Sequence, residues 1–491
     1  MAKNLIARKR EQQAQRPEDP VSPYLRLYGL RDNPFPSMAL FVSSTNDPRT
    51  NGEIYDAEFR RDEEKAFFER FVLPPTGDKP LPIGFVRLDP QAGGRGNGKS
   101  TFLHHLMVRI NTATWGSWPA DPDDSRLTAT AVHLLPEPKK QNNFFELIRL
   151  IFETLYRTEF ATPGRPRLVR KLDAEIRAAL LLDVLSGPQA DEIAGRPAEV
   201  IAEMLESSER FGALLTELGV SRSALVAAAE SRLGAISSTC LDNEFIKAFL
   251  AKGMSIEAVW GEWKRNGWAA SDNRWKRWGG EWLADGLVPV LIMAGQARLY
   301  VLLDEFEKIY VYQTSRKREE FLDLLRQVFY EQDSAAVRRQ YITTVLSIHP
   351  SIETYLKNHW ARVGLHQLAP LAPGEVERIS VPLGKSTEKR LSHLMVTYLD
   401  HYRDAGAPHH GEPYPFAPGA LSPAMDAARL YPRDTLQYAH MILKKAASES
   451  IAAPIQKTYV EAFLTSAPAQ RVDEEDDFSA LGASETKLTD D

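Results

Sequence analysis

The chain has 491 residues, 43% apolar and 26% charged. That is more than one compact core accommodates, and it is the make-up of a folded globular protein rather than a disordered or fibrous one. The formal charge of −6 is unevenly placed: residues 473–491 carry eight acids and one lysine, and the first sixteen residues carry a net +4. Cys240 is the only cysteine, which excludes a disulfide framework and a Cys-rich zinc site. The longest apolar run, at 287–295, falls far short of the ~18 residues a membrane span needs, and the first residues lack a hydrophobic signal core. A cytoplasmic protein with no membrane partner is expected.

In chain order, residues 1–27 read as a basic tail, either plain solvated chain or an arm that touches nucleic acid. Residues 28–160 read as the first part of an α/β core. Ile83 to Leu88 is an apolar, β-prone run that meets a glycine-rich loop and then a helical pattern. The segment Gly93, Gly94, Arg95, Gly96, Asn97, Gly98, Lys99, Ser100, Thr101 contains a full GxxxxGK[ST]. Glycines let the backbone curl so that its N–H groups point inward at phosphate oxygens. The helix that begins near Gly98 adds its positive end. In that cradle Lys99 would bridge the β- and γ-phosphates of ATP. The Ser100 hydroxyl would ligate Mg2+, which keeps most of its waters. A second strand at 129–135 and an apolar helix complete this part.

Residues 161–294 read as a helical insertion. Apolar residues recur at three- and four-residue steps between Gly and Pro breaks, with no strand alternation, metal spacing or catalytic constellation. A binding module is expected there. Its last third, 260–282, holds six of the nine tryptophans with cations between them. Two readings stand. Trp275, Trp278 and Trp282 share one helix face, which would pack on the core. Alternatively, Trp268 and Trp275 beside Arg274 and Lys276 form an exposed platform that stacks bases and holds phosphates.

Residues 295–372 return to the core. Leu299 to Leu303 is a continuous apolar run, as in a strand covered on both faces. Asp304 follows at its carboxyl edge, where open α/β sheets place ligands. Asp304 would hold Mg2+ through water, and Glu305 would polarise the attacking water as general base. Tyr341 to Ile348 is another buried strand. Residues 373–467 read as a helical lid and 468–491 as an acidic disordered tail.

These motifs resemble those of AAA+ P-loop ATPases of the kind that includes origin-binding and transposition-regulator ATPases, over residues 28–156 and 297–465. The stretch from Tyr28 to Pro36 is also similar to the opening of ExeA-like secretion ATPases, which packs beside the nucleotide; the lack of a membrane span speaks against a secretion role here. The resemblance implies an α/β P-loop core, a parallel sheet flanked by helices, with a large helical insertion and a C-terminal helical lid. It further implies that Ser347 or His349 is a polar sensor near the γ-phosphate. Arg362 would be a finger on a neighbouring subunit's nucleotide, and Arg433 a lid residue that reaches the γ-phosphate. A surface ion pair is the other reading of each arginine. The chain departs from the compact family core in spacing, since 205 residues separate Lys99 from Asp304.

The expected function is that of an ATP- and Mg2+-dependent ATPase, a homo-oligomer with ATP sites shared between subunits. It would act as a nucleotide-dependent regulator or loader on DNA, in mobile-element targeting or phage defence. One alternative is a signalling or scaffold ATPase whose 161–294 insertion binds an effector protein such as a nuclease. Another is a protein-remodelling ATPase.

Overall fold

The computed structural model describes residues 22–38, 41–42, 45–74, 79–88, 97–115, 124–136, 143–158, 167–265, 278–311 and 313–466. The chain divides into two units. One comprises Met1–Arg61, Gln91–Thr101 and Gly384–Glu475, the other Asp62–Pro90, Phe102–Leu383 and Asp476–Asp491.

The second unit is built on five strands: β1 (Ile83–Leu88), β2 (Thr130–Leu134), β3 (Leu299–Leu303), β4 (Ile342–Ile348) and β5 (Ser380–Leu383). Their order is β2-β3-β4-β1-β5 and every pairing is parallel. Buried on both faces, the strands are mostly apolar. Alternate side chains serve opposite faces. Phe85, Val132, Val301 and Leu346 join one apolar cluster, whereas Val86, Ala131, Leu302 and Val345 join another.

The helices that flank the sheet follow from its connections. They are α1 (Arg61–Phe67), α2 (Lys99–Thr112), α3 (Phe144–Arg157), α4 (Leu168–Val184), α5 (Ile256–Arg265), α6 (Phe306–Val311), α7 (Ser315–Arg326) and α8 (Pro350–Arg362). The chain leaving β1 travels to the far edge at β2, and the later connections run back the other way. Right-handed crossovers then demand helices on opposite faces. Phe102, Leu103 and Leu106 of α2 accordingly pack with Val86 and Leu302. Phe144 of α3, Phe321 of α7 and Trp360 of α8 pack on the other face with Phe85 and Val301. α3 shows why such a segment is helical. Asn143 caps it by accepting from Glu146 N–H at 2.9 Å, and its buried residues fall at 144, 147, 148, 151, 152 and 155. The far end of α2 is pinned to β2, because the Asn111 side chain bonds both the N–H and the carbonyl of Ala131, at 2.8 and 2.9 Å.

The described part of the insertion is helical, but it is no separate body. Val169, Leu172 and Ile176 of α4 and Val259 of α5 belong to the same apolar cluster as the sheet. The interval between β2 and β3 therefore thickens one face of the sheet.

The first unit contains α9 (Glu388–His401) and α10 (Pro432–Ser448). Tyr28, Leu30, Phe35 and Ile54 share one apolar cluster with Leu399 of α9 and Leu443 of α10. Leu30 also bridges to Arg403, and Asn33 donates to the His440 carbonyl at 3.1 Å. The sequence assigned 28–61 to the core; these residues group instead with the C-terminal helices, where their apolar side chains find cover. The tails 1–21 and 467–491 lie outside the described residues. Among the described residues, no single helix is long and apolar enough to cross a membrane.

Candidate functional site

An open parallel sheet offers its ligand crevice at the carboxyl ends, between neighbouring strands whose connections depart in opposite directions. β1 and β4 are those strands here. Asp304 directly follows β3 and is 0% exposed. Its N–H donates to the Leu134 carbonyl at 2.9 Å, which prolongs the ladder past the strand. Ser347 on β4 stands opposite Val86 of β1, and Leu346 opposite Leu303. Ser347 thus sits beside Asp304, between it and β1. Strand alternation puts both side chains on the face that carries α2.

The structure adds His133, which the sequence reading passed over within an apolar strand. The only signal was that a titratable side chain interrupts "ATAVHLL". His133 shares the face of Asp304, and its Nε2 lies 3.7 Å from Asp304 Oδ2. The His104 ring of α2 meets it edge-on, with centroids 6.0 Å apart. Burial, reinforced by His133 and His105, pushes His104 down to about 3, so it stays neutral across the working range of pH.

Glu305 has φ of 49°, a left-handed backbone that costs a side-chain-bearing residue strain and that recurs at functional sites. Its N–H donates to Asp304 Oδ1 at 2.8 Å, which holds the turn. Ser347 Oγ is 0% exposed and has no hydrogen-bond partner among the described residues. Thr344, Ser380, Ser386 and Thr435 carry buried hydroxyls in the same state, so what sets Ser347 apart is its position at the carboxyl end of β4 beside Asp304. His349 stands half-buried just past β4.

Of the glycine-rich loop, Gly93, Gly94, Arg95 and Gly96 lie outside the described residues. Asn97 is buried, Gly98 has φ of 77°, and α2 opens with Lys99, Ser100 and Thr101, all half-buried. These three residues group with the first unit, as does Arg433, the second residue of α10. Arg433 is half-buried next to Asp434, whose carboxyl is pushed up by burial.

Arg362 is the last residue of α8, its side chain 67% exposed, and it pairs with Glu319 of α7 at 2.9 Å. One turn earlier, His359 is buried between the Tyr310 hydroxyl of α6 and Ser315 Oγ, the latter at 2.8 Å.

The tryptophan question is answered for the described rings. Trp260, Trp263 and Trp282 are buried and Trp278 is half-buried against the same core. Trp263 meets Phe152 of α3, Trp260 and Trp282 edge-on, with centroids 5.6, 4.7 and 6.1 Å away. Trp268, Trp275, Arg274, Lys276 and Arg277 lie outside the described residues.

Among the described residues, no group of three or more His, Cys, Asp or Glu side chains is arranged to hold a metal. Mg2+ does not ask for one, since one or two carboxylates, water and phosphate suffice. A buried carboxylate at a strand end fits that need. Compared with protein-family models, curated proteins and solved structures, the chain matches none.

Proposed function

We propose that this chain is an AAA+ ATPase that binds ATP with Mg2+ and hydrolyses it. One observation carries the reading. Asp304 and Ser347 stand side by side at the carboxyl ends of β3 and β4, next to β1, and it is β1 that runs into GxxxxGK[ST]. By the motifs, Ser100 would ligate Mg2+ and Asp304 would hold it through water, the ion neutralising phosphate charge. Lys99 and the loop N–H groups hold the phosphates. Glu305 takes up the proton of the attacking water, and Ser347 donates to the γ-phosphate.

Arg362 fits a role between subunits. It lies exposed at a helix end, paired with the half-buried Glu319 of α7, and a pair with one solvent-exposed member contributes little, so it can exchange Glu319 for a phosphate on another copy. ATP would then favour a homo-oligomer, with the basic N-terminal arm supplying contact to DNA. Turnover and assembly test this together: wild type should hydrolyse ATP and grow in light scattering with a slowly hydrolysed analogue. A protein that neither binds nor cleaves ATP ends the proposal.

A second reading, recruitment of an effector protein, gains support from charge. Residues 167–265 carry 15 acids and 12 bases, which suits a protein partner better than a nucleic-acid backbone. ATPase activity that is indifferent to DNA would favour it.

A further inference from the structure

Arg60 has no part in the site so far, yet it is only 2% exposed. Its Nη2 donates to the Asn97 carbonyl at 2.6 Å. Its Nη1 lies 3.5 Å from the carbonyl of Gly384, the residue after β5. The guanidinium plane lies over the Phe59 ring, 4.6 Å from its centroid. All four residues belong to the same unit. A buried guanidinium is costly unless its donors are taken up, and a planar fork reaches two carbonyls where a lysine reaches one.

The peptide geometry shows what such an arginine does. In a trans peptide, the carbonyl and the following N–H point in opposite directions. An Asn97 carbonyl held by Arg60 therefore turns the Gly98 N–H away from Arg60. The positive φ of Gly98 then carries the chain from that peptide into α2. In GxxxxGK[ST] the N–H before the lysine belongs to the phosphate cradle.

We propose that Arg60 is a positioning residue for the nucleotide. It locks the Asn97–Gly98 peptide so that the Gly98 N–H faces the phosphates, and through Gly384 it ties that setting to the start of the helical lid. This inference rests on the phosphate-loop reading above.

The test is titration of the full chain with fluorescent ATP and ADP analogues in the presence of Mg2+. R60A should weaken both on the order of ten- to hundredfold, the value of one charge-assisted hydrogen bond. Turnover at saturating ATP should change far less, because Asp304 and Glu305 are untouched. R60K, which keeps the charge and a donor, should regain part of the affinity. An R60A protein that melts earlier but binds nucleotide like wild type overturns the proposal, since that is what a merely structural arginine would do. Where R60A fails to fold, R60Q carries the test, and wild-type affinity in R60Q is equally fatal. K99A separates the two levels: if K99A binds ATP like wild type, the phosphate-loop reading itself fails, whatever R60A does.

Discussion

Trp263→Ala asks whether the tryptophan stretch is core or surface. Trp263 is 2% exposed and touches three aromatic rings edge-on. Truncating a buried tryptophan costs about 3–5 kcal/mol, and each edge-to-face pair adds roughly 0.5–1.5 kcal/mol beyond area alone. Losing three such pairs puts the change at the upper end, about 5 kcal/mol. For a unit of this size, 1 kcal/mol moves the melting temperature by about 2 °C, so a drop of roughly 10 °C is expected. The assay is calorimetric melting, with DNA binding measured at a temperature where both proteins are folded. Trp278→Ala, half-buried, should shift melting less. If Trp263→Ala melts within about 1 °C of wild type but loses DNA affinity, the packing argument is refuted and the ring belongs to a binding surface.

Four further outcomes are expected. Glu305→Gln should bind ATP, fail to cleave it and favour the assembled state; normal turnover would remove Glu305 as the general base. Arg362→Ala should bind ATP and lose turnover, and mixing it with Glu305→Gln should restore part of the rate through hybrid sites; the absence of rescue at every mixing ratio would leave Arg362 with its ion pair to Glu319 alone. Burial pushes His104 down to about 3, while an unfolded histidine takes its proton near 6.5. Between those values the unfolded chain binds a proton that the folded one refuses, so stability falls as pH falls, by up to about 1.4 kcal/mol per pH unit. His104→Asn should flatten that slope in urea melts between pH 6 and 4, and an unchanged slope would contradict the burial argument. Finally, replacing Arg274, Lys276 and Arg277 by Gln should weaken DNA binding with a shallower salt dependence only if those cations touch phosphate; wild-type binding across a salt series moves the DNA contact to the basic arm or removes it.

Four of the five strands and the motif residues could be read in the sequence because their signals are local; β5, at Ser380–Leu383, falls in the stretch 373–467 that reads as helical, because its four residues are too short a run to show a period and only pairing with β1 makes them a strand. Leu299 to Leu303 is apolar throughout, since a strand covered on both faces has no polar side to show, and Asp304 stands out because it ends that run. GxxxxGK[ST] is a contiguous pattern whose glycines answer to backbone geometry a few residues long. The helical character of 167–265 is equally local, written in three- and four-residue steps.

What only the tertiary structure decided depends on pairings far apart in the chain. Strand order is one such pairing: β4 lies between β1 and β3, and this places Ser347 beside Asp304, which no spacing in the sequence reveals. His133 looks like a stray polar residue until register sets it 3.7 Å from Asp304. From sequence the insertion reads as a module of its own, because periodicity reports that a face is buried without saying against what; its apolar stripes join the cluster of α3 and the sheet. The segment from Tyr28 to Phe35 was grouped with the strands that follow it, yet its side chains bury against α9 and α10, over 350 positions away. Arg60 is the clearest case. Two of the carbonyls its guanidinium meets, those of Asn97 and Gly384, come from segments 37 and 324 residues distant, and only folding brings them to one cation.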